Sequence, residues 1–109
     1  MKGYVGEFEE LVLLTIAFLH EEAYGVSIKR EIENRADRSI SIGALHSTIT
    51  RLEEKGFLKS HLGGSIPERG GRRKKFFELT VAGKSALHEI KSLRDDLWKS
   101  KTVKLSLGV

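Results

Sequence analysis

The side chains best placed to do chemistry lie in two short stretches, and both suit contact with a polyanion. The first is Ser41-Ile42-Gly43-Ala44-Leu45-His46-Ser47-Thr48-Ile49-Thr50-Arg51-Leu52-Glu53-Glu54-Lys55. If Leu45, Ile49 and Leu52 turn inward at i, i+4 and i+7, then Gly43, Ser47, Thr50, Arg51 and Glu54 project to the opposite side. Ala44 and His46 flank that face near its start. Small and polar residues in the first turns let a helix enter a major groove about 12 Å wide and reach base edges. Ser47 and Thr50 suit hydrogen bonds to bases or phosphates, and Arg51 suits guanine or a phosphate.

The second stretch holds Arg69, Arg72, Arg73, Lys74 and Lys75 within seven residues, interleaved with Gly70 and Gly71 and free of acids. A cationic, glycine-tipped hairpin can lie along a minor groove or its flanking phosphates. Residues 57–84 carry seven basic and two acidic residues, net +5, whereas residues 1–22 carry one Lys and five Glu, net −4. The formal total of +4 is thus the sum of an acidic start and a basic middle. A localised cationic surface binds phosphates chiefly through counterion release.

Other chemistries lack their residues. There is no cysteine, so disulfides, thiolate metal sites and a Cys nucleophile are excluded. His20, His46, His61 and His88 fall in separate elements with no ligand at metal spacing, so no metal is expected. Glu9-Glu10, Glu21-Glu22 and Glu53-Glu54 read as charged helix faces. With no nucleophile motif, phosphate-cradling loop or paired-carboxylate signature, neither an enzyme nor a cofactor is expected. The opening residues lack a signal-peptide pattern and Leu11 to Leu19 is too short to span a bilayer, which predicts a cytoplasmic protein and no membrane partner.

The elements that must position these residues follow from periodicity. Residues 7–20 read as a helix with acids in its first turn, where they suit the macrodipole. Its second half is apolar almost all round, which calls for cover on more than one side. A second helix is predicted from Tyr24 to Arg35, with Val26, Ile28 and Ile32 apolar. The third runs from Ile42 to Lys55, with Ser41 as N-cap and Gly56 after its last turn. Residues 57–62 and 74–79 read as strands around a loop of four glycines and the only proline, Gly63 to Gly71. Thr80 caps a last helix from Val81 to about Lys99. At 109 residues the chain is expected to form one structural domain. The fold class is mainly α with a small β-hairpin, a winged helix-turn-helix over residues 1–80, followed by a dimerisation helix and tail over residues 81–109.

Together these stretches resemble the PadR family of transcriptional regulators. The resemblance is carried by Ser41 to Leu58, by Gly70-Gly71-Arg72-Arg73-Lys74-Lys75-Phe76-Phe77-Glu78-Leu79-Thr80-Val81-Ala82-Gly83, and by Leu11 to Leu19 followed by Tyr24-Gly25. It runs from about residue 7 to 98. The family usually has a Tyr-Pro pair where this chain has His46-Ser47, and commonly Pro and Thr where it has Ile42 and Ala44. Operator sequence is therefore not carried across.

The resemblance implies a repressor that binds double-stranded DNA as a homodimer, its C-terminal helix packed on the partner's first helix. The DNA-facing set is then Ser41, Gly43, Ala44, His46, Ser47, Thr50, Arg51, Lys55, Arg69, Arg72, Arg73, Lys74 and Lys75. The 4-3-4 spacing of Ala86, Ile90, Leu93 and Leu97 agrees with a helix seam, and Leu11, Leu14 and Phe18 are its expected counterpart. In some PadR-like regulators a tryptophan on this helix lines a drug pocket, which makes Trp98 and Arg94 the candidate site for a planar aromatic effector. The alternative is a winged-helix adaptor whose third helix and wing bind an acidic protein.

Overall fold

The computed structural model describes residues 5–65 and 73–99. In chain order the elements are α1 (Glu7–Leu19), a short 3-10 turn (His20–Glu22), α2 (Gly25–Ala36), α3 (Ile42–Glu54), β1 (Leu58–Ser65), β2 (Arg73–Leu79) and α4 (Val81–Lys99). The strands form an antiparallel pair, with Leu58 opposite Leu79 and Leu62 opposite Lys75. This is a mainly helical fold with a two-stranded wing, as the periodicities predict.

Each boundary has a local cause. Ser41 Oγ accepts from Ala44 N at 3.0 Å and so caps α3. Past the end of that helix Gly56 sits at φ 79°, a left-handed conformation that favours glycine. Thr80 Oγ1 accepts from Gly83 N at 3.0 Å and donates to Gly56 O at 2.6 Å, so one hydroxyl caps α4 and ties its start to the end of α3. Gly83 must be small: a Cβ there would lie 2.2 Å from the Phe57 carbonyl oxygen.

The core joins all three N-terminal helices. Val12, Leu13, Ile16, Ile28, Ile32, Leu45 and Leu52 are at most 1% exposed. Burying side chains of this kind contributes about 1.5–3 kcal/mol each. Phe57, Leu58, Phe77 and Leu79 close the core from the hairpin, and Ala86 and Ile90 close it from α4.

Several details depart from the sequence reading. Helix α1 stops at Leu19, because His20 turns to φ 53° and starts the 3-10 turn. Val26 lies outside the core; only Ile28 and Ile32 of α2 are buried. Strand β1 continues through Gly63, Gly64 and Ser65, expected to be loop, by shifting its register between Leu62 and Ser65. The hairpin also gains a third line of pairing: Phe77 N donates to Ala23 O at 2.9 Å, and Tyr24 bridges Phe76.

Candidate nucleic-acid interface

Helix α3 separates two faces. Leu45, Thr48, Ile49 and Leu52 are buried, while Ser41, Gly43, Ala44, His46, Ser47 and Thr50 are exposed. The exposed set therefore occupies the face opposite the core, with Ile42 and His46 the only large exposed side chains in its first two turns. The approach from α2 is held by Glu33, whose carboxylate accepts from Ile40 N at 3.0 Å and from Lys29 Nζ at 3.0 Å. Those bonds keep the Glu33 carboxyl below its ordinary range, the bond from Ile40 foremost.

Arg51 and Lys55, further along α3, behave differently from the other members of the predicted set. Lys55 Nζ donates to Glu9 of α1 at 2.9 and 3.0 Å, and Arg51 Nε lies 3.7 Å from the same carboxylate. Arg51 also donates to Thr48 Oγ1 at 3.1 Å. Glu9 itself is only 7% exposed. Reading it as part of a charged helix face is thus corrected: it is a buried acid beneath the end of α3. Burial pushes its carboxyl up, but bonds from Gly6 N and Lys55, with Arg51 nearby, outweigh that and hold it below the ordinary range. Its only sequence signal was the acidic first turn, which does not tell a buried carboxylate from a solvated one.

The wing sits beside α3 on an aromatic footing. Phe76 meets Tyr24 edge-on at 5.7 Å and stacks on His61 at 5.7 Å. Lys74 Nζ lies 3.8 Å from the Tyr24 ring centroid, a cation–π contact. Arg73 donates to the carbonyls of Gly63 at 2.7 Å and Leu62 at 3.2 Å, bracing the strand pair, and Lys75 is exposed. The predicted Arg69 and Arg72 lie outside the described residues. The structure thus brings Arg73, Lys74 and Lys75 to one strand beside Tyr24, and each has a partner within the fold, Lys75 the Phe77 ring at 5.7 Å.

The C-terminal stripe divides into two halves. Ala86 and Ile90 are 4% and 8% exposed and belong to the chain's own core, which corrects their reading as seam residues open to a partner. Leu93, Leu97 and Trp98 are 62%, 57% and 64% exposed. Across from them on α1, Leu11 packs against the core while Leu14 and Phe18 are exposed, Phe18 beneath the Arg35 guanidinium at 4.3 Å. A groove of about 520 Å³ lies between the two helices, bordered by Glu10, Leu14, Leu87, His88, Arg94 and Trp98. Arg94 Nη2 donates to Glu10 at 2.8 Å across it, which raises the already high pKa of the guanidinium.

Among the described residues no three His, Asp or Glu side chains gather as metal ligands, and no helix is long and apolar enough to cross a membrane.

The profile of the transcriptional regulator PadR-like family matches residues 13–89. Among solved structures, a PadR-like transcription factor from Bacteroides fragilis is 26% identical over 84% of both chains, with a TM-score of 0.67. A PadR family transcriptional regulator from Eggerthella lenta is 26% identical over 84% of this chain and 80% of that one, at 0.64. A PadR family transcription regulator from Clostridium difficile, 24% identical over 84% and 92% at 0.67, shares the fold. No curated protein matches significantly.

Proposed function

This chain belongs to the PadR-like family of transcriptional regulators, and we propose that it is a homodimeric repressor released by a small-molecule effector. At the coarser level it is a DNA-binding transcription regulator. The observation that supports DNA contact through this chain's own residues is the two-faced α3. Its first turns expose Gly43, Ala44, His46, Ser47 and Thr50 over a buried Leu45, Ile49 and Leu52. Such a helix offers a major groove little steric resistance and several hydrogen-bonding groups.

In this reading Ser47, Thr50 and His46 face base edges, while Ser41, with Arg51 and Lys55 at the far end of the helix, faces operator phosphates. Arg69, Arg72, Arg73, Lys74 and Lys75 follow the backbone or the minor groove. Residues 1–80 act as the DNA-binding unit. Residues 81–109 act as a dimerisation helix and tail, seated through Leu93 and Leu97 against Leu11, Leu14 and Phe18 of a second copy. Large apolar side chains exposed together mark such a contact, and two copies place two recognition helices on half-sites about one DNA turn apart. The groove beside Trp98 and Arg94 takes a planar aromatic effector, which acts by favouring one spacing of the dimer. The protein works in the cytoplasm.

Salt titration on duplex DNA tests this reading. Log affinity is expected to fall by about 0.9 per log unit of salt for each neutralised phosphate. Arg72→Ala with Arg73→Ala is expected to weaken all duplexes alike and flatten that slope. Absence of binding to any duplex at low salt overturns the reading in favour of an adaptor for acidic proteins. Selection of bound duplexes from a random pool reads the half-site spacing, and quenching of Trp98 emission by planar aromatics reads the effector.

A further inference from the structure

The Glu9 contacts have a consequence for how the DNA face discriminates. Among the described residues Glu9 is the one buried acid. Its carboxylate accepts from Gly6 N at 2.9 Å and from Lys55 Nζ at 2.9 Å, with Arg51 Nε 3.7 Å away. Arg51 lies in the last turn of α3 and Lys55 is its C-cap, so Glu9 competes from the protein side for a cation that a DNA phosphate would take from the other.

The exchange of one anion for the other is not symmetric. An exposed pair such as Lys59 and Glu78, 3.6 Å apart with both side chains more than half exposed, can give up its partner to water at little cost. The Glu9 side chain is only 9% exposed and Arg51 lies 3.7 Å away and more than half exposed, so handing Lys55 to a phosphate would take the bonded counter-charge from a buried carboxylate. A loosely placed, sequence-independent phosphate does not offset that cost.

We infer that Glu9 is a specificity-determining residue of the DNA face: it withholds Lys55 from the phosphates of random-sequence duplex. Sequence-independent affinity is then carried by the cations of the wing. Only a complex that seats α3 deeply brings phosphates close enough to compete with Glu9. The inference rests on the reading of α3 as the DNA face.

The test compares salt titrations of wild type and Glu9→Gln on a random-sequence duplex. Gln keeps an acceptor for Gly6 N but removes the charge. The variant is expected to bind more tightly, and the ratio of its affinities at about 50 and 200 mM salt is expected to rise about 3-fold for the release of Lys55. Adding Lys55→Met to Glu9→Gln is expected to restore the wild-type slope. A folded Glu9→Gln protein with an unchanged slope overturns the inference. Nuclear magnetic resonance of the wild type decides the matter even if that variant fails to fold. On saturation with the same duplex the Lys55 ammonium and Glu9 carboxyl signals are expected to stay in place while that of Lys75 moves. A Lys55 shift as large as that of Lys75 overturns the inference. Wild type that binds no duplex at all overturns the DNA-face reading and this inference with it, whereas binding with either negative result above overturns the inference alone.

Discussion

The Tyr24 ring meets the Phe76 ring edge-on, with centroids 5.7 Å apart and planes at 72°. Tyr24 stands immediately before α2 and Phe76 lies in the middle of β2, so this contact, together with the bond from Phe77 N to Ala23 O, sets how the wing leans on the helical body. Phe76 also stacks on His61 of the opposite strand. Phe76→Ala removes both partners and is expected to lower stability by about 2 kcal/mol, less than for a fully buried phenylalanine because Phe76 is half-buried. Urea unfolding measures that loss. Duplex affinity is expected to fall as well, since the wing cations share the same strand.

Two glycines make opposite predictions for the same substitution. A Cβ at Gly83 would lie 2.2 Å from the Phe57 carbonyl oxygen, a backbone atom that cannot swing away. Gly83→Ala is therefore expected to cost about 1–3 kcal/mol and to lower the melting temperature. A Cβ at Gly43 meets nothing within 4 Å, and Gly43 lies in the first turn of α3. Gly43→Ala is expected to stabilise by about 0.5–1 kcal/mol while weakening duplex binding. A Gly43→Ala protein that binds DNA as tightly as wild type would show that this turn does not face the groove.

Acid stability follows from Glu9. Its carboxyl is held below the ordinary range in the folded chain, so the stability it contributes is present above the unfolded value and is lost as pH falls through the folded one. Glu9→Gln is expected to lose about 2 kcal/mol at neutral pH. That difference is expected to shrink as pH falls below the ordinary carboxylate value and to vanish as it passes through the lowered folded one, where the wild-type carboxyl protonates. Thermal melts of both proteins across that range check the convergence; a constant difference would mean the pair with Lys55 contributes nothing through charge.

The exposed end of α4 makes the assembly testable. Leu93 and Leu97 are adjacent on one face and more than half exposed, so Leu93→Asp is expected to give a folded monomer in sedimentation while leaving the melting temperature of the isolated fold nearly unchanged. Ile90→Asp, by contrast, buries a charge in the chain's own core and is expected to prevent folding. A Leu93→Asp protein that still sediments as a dimer would move the interface elsewhere.

What could be read from residue order alone was whatever depends on near neighbours. The Leu45/Ile49/Leu52 stripe, the Ser41 and Thr80 caps and the Gly56 terminus were legible, because helical period and capping involve residues only a few positions apart. The joint pattern of recognition helix, cationic wing and last helix likewise sufficed to suggest the family. Tertiary structure decided the rest. Ala86 and Leu93 sit in one unbroken apolar spacing, yet the first is buried in its own chain and the second is exposed, because the chain's own core covers the apolar face of α4 only as far as Ile90. Strand β1 could extend through Gly63 to Ser65 only because β2 supplied a partner across a register shift. Glu9 and Lys55 stand 46 positions apart. No local pattern says that a carboxylate in an acidic first turn will be buried under a helix so distant in the chain, since its burial is set by how α1 and α3 cross.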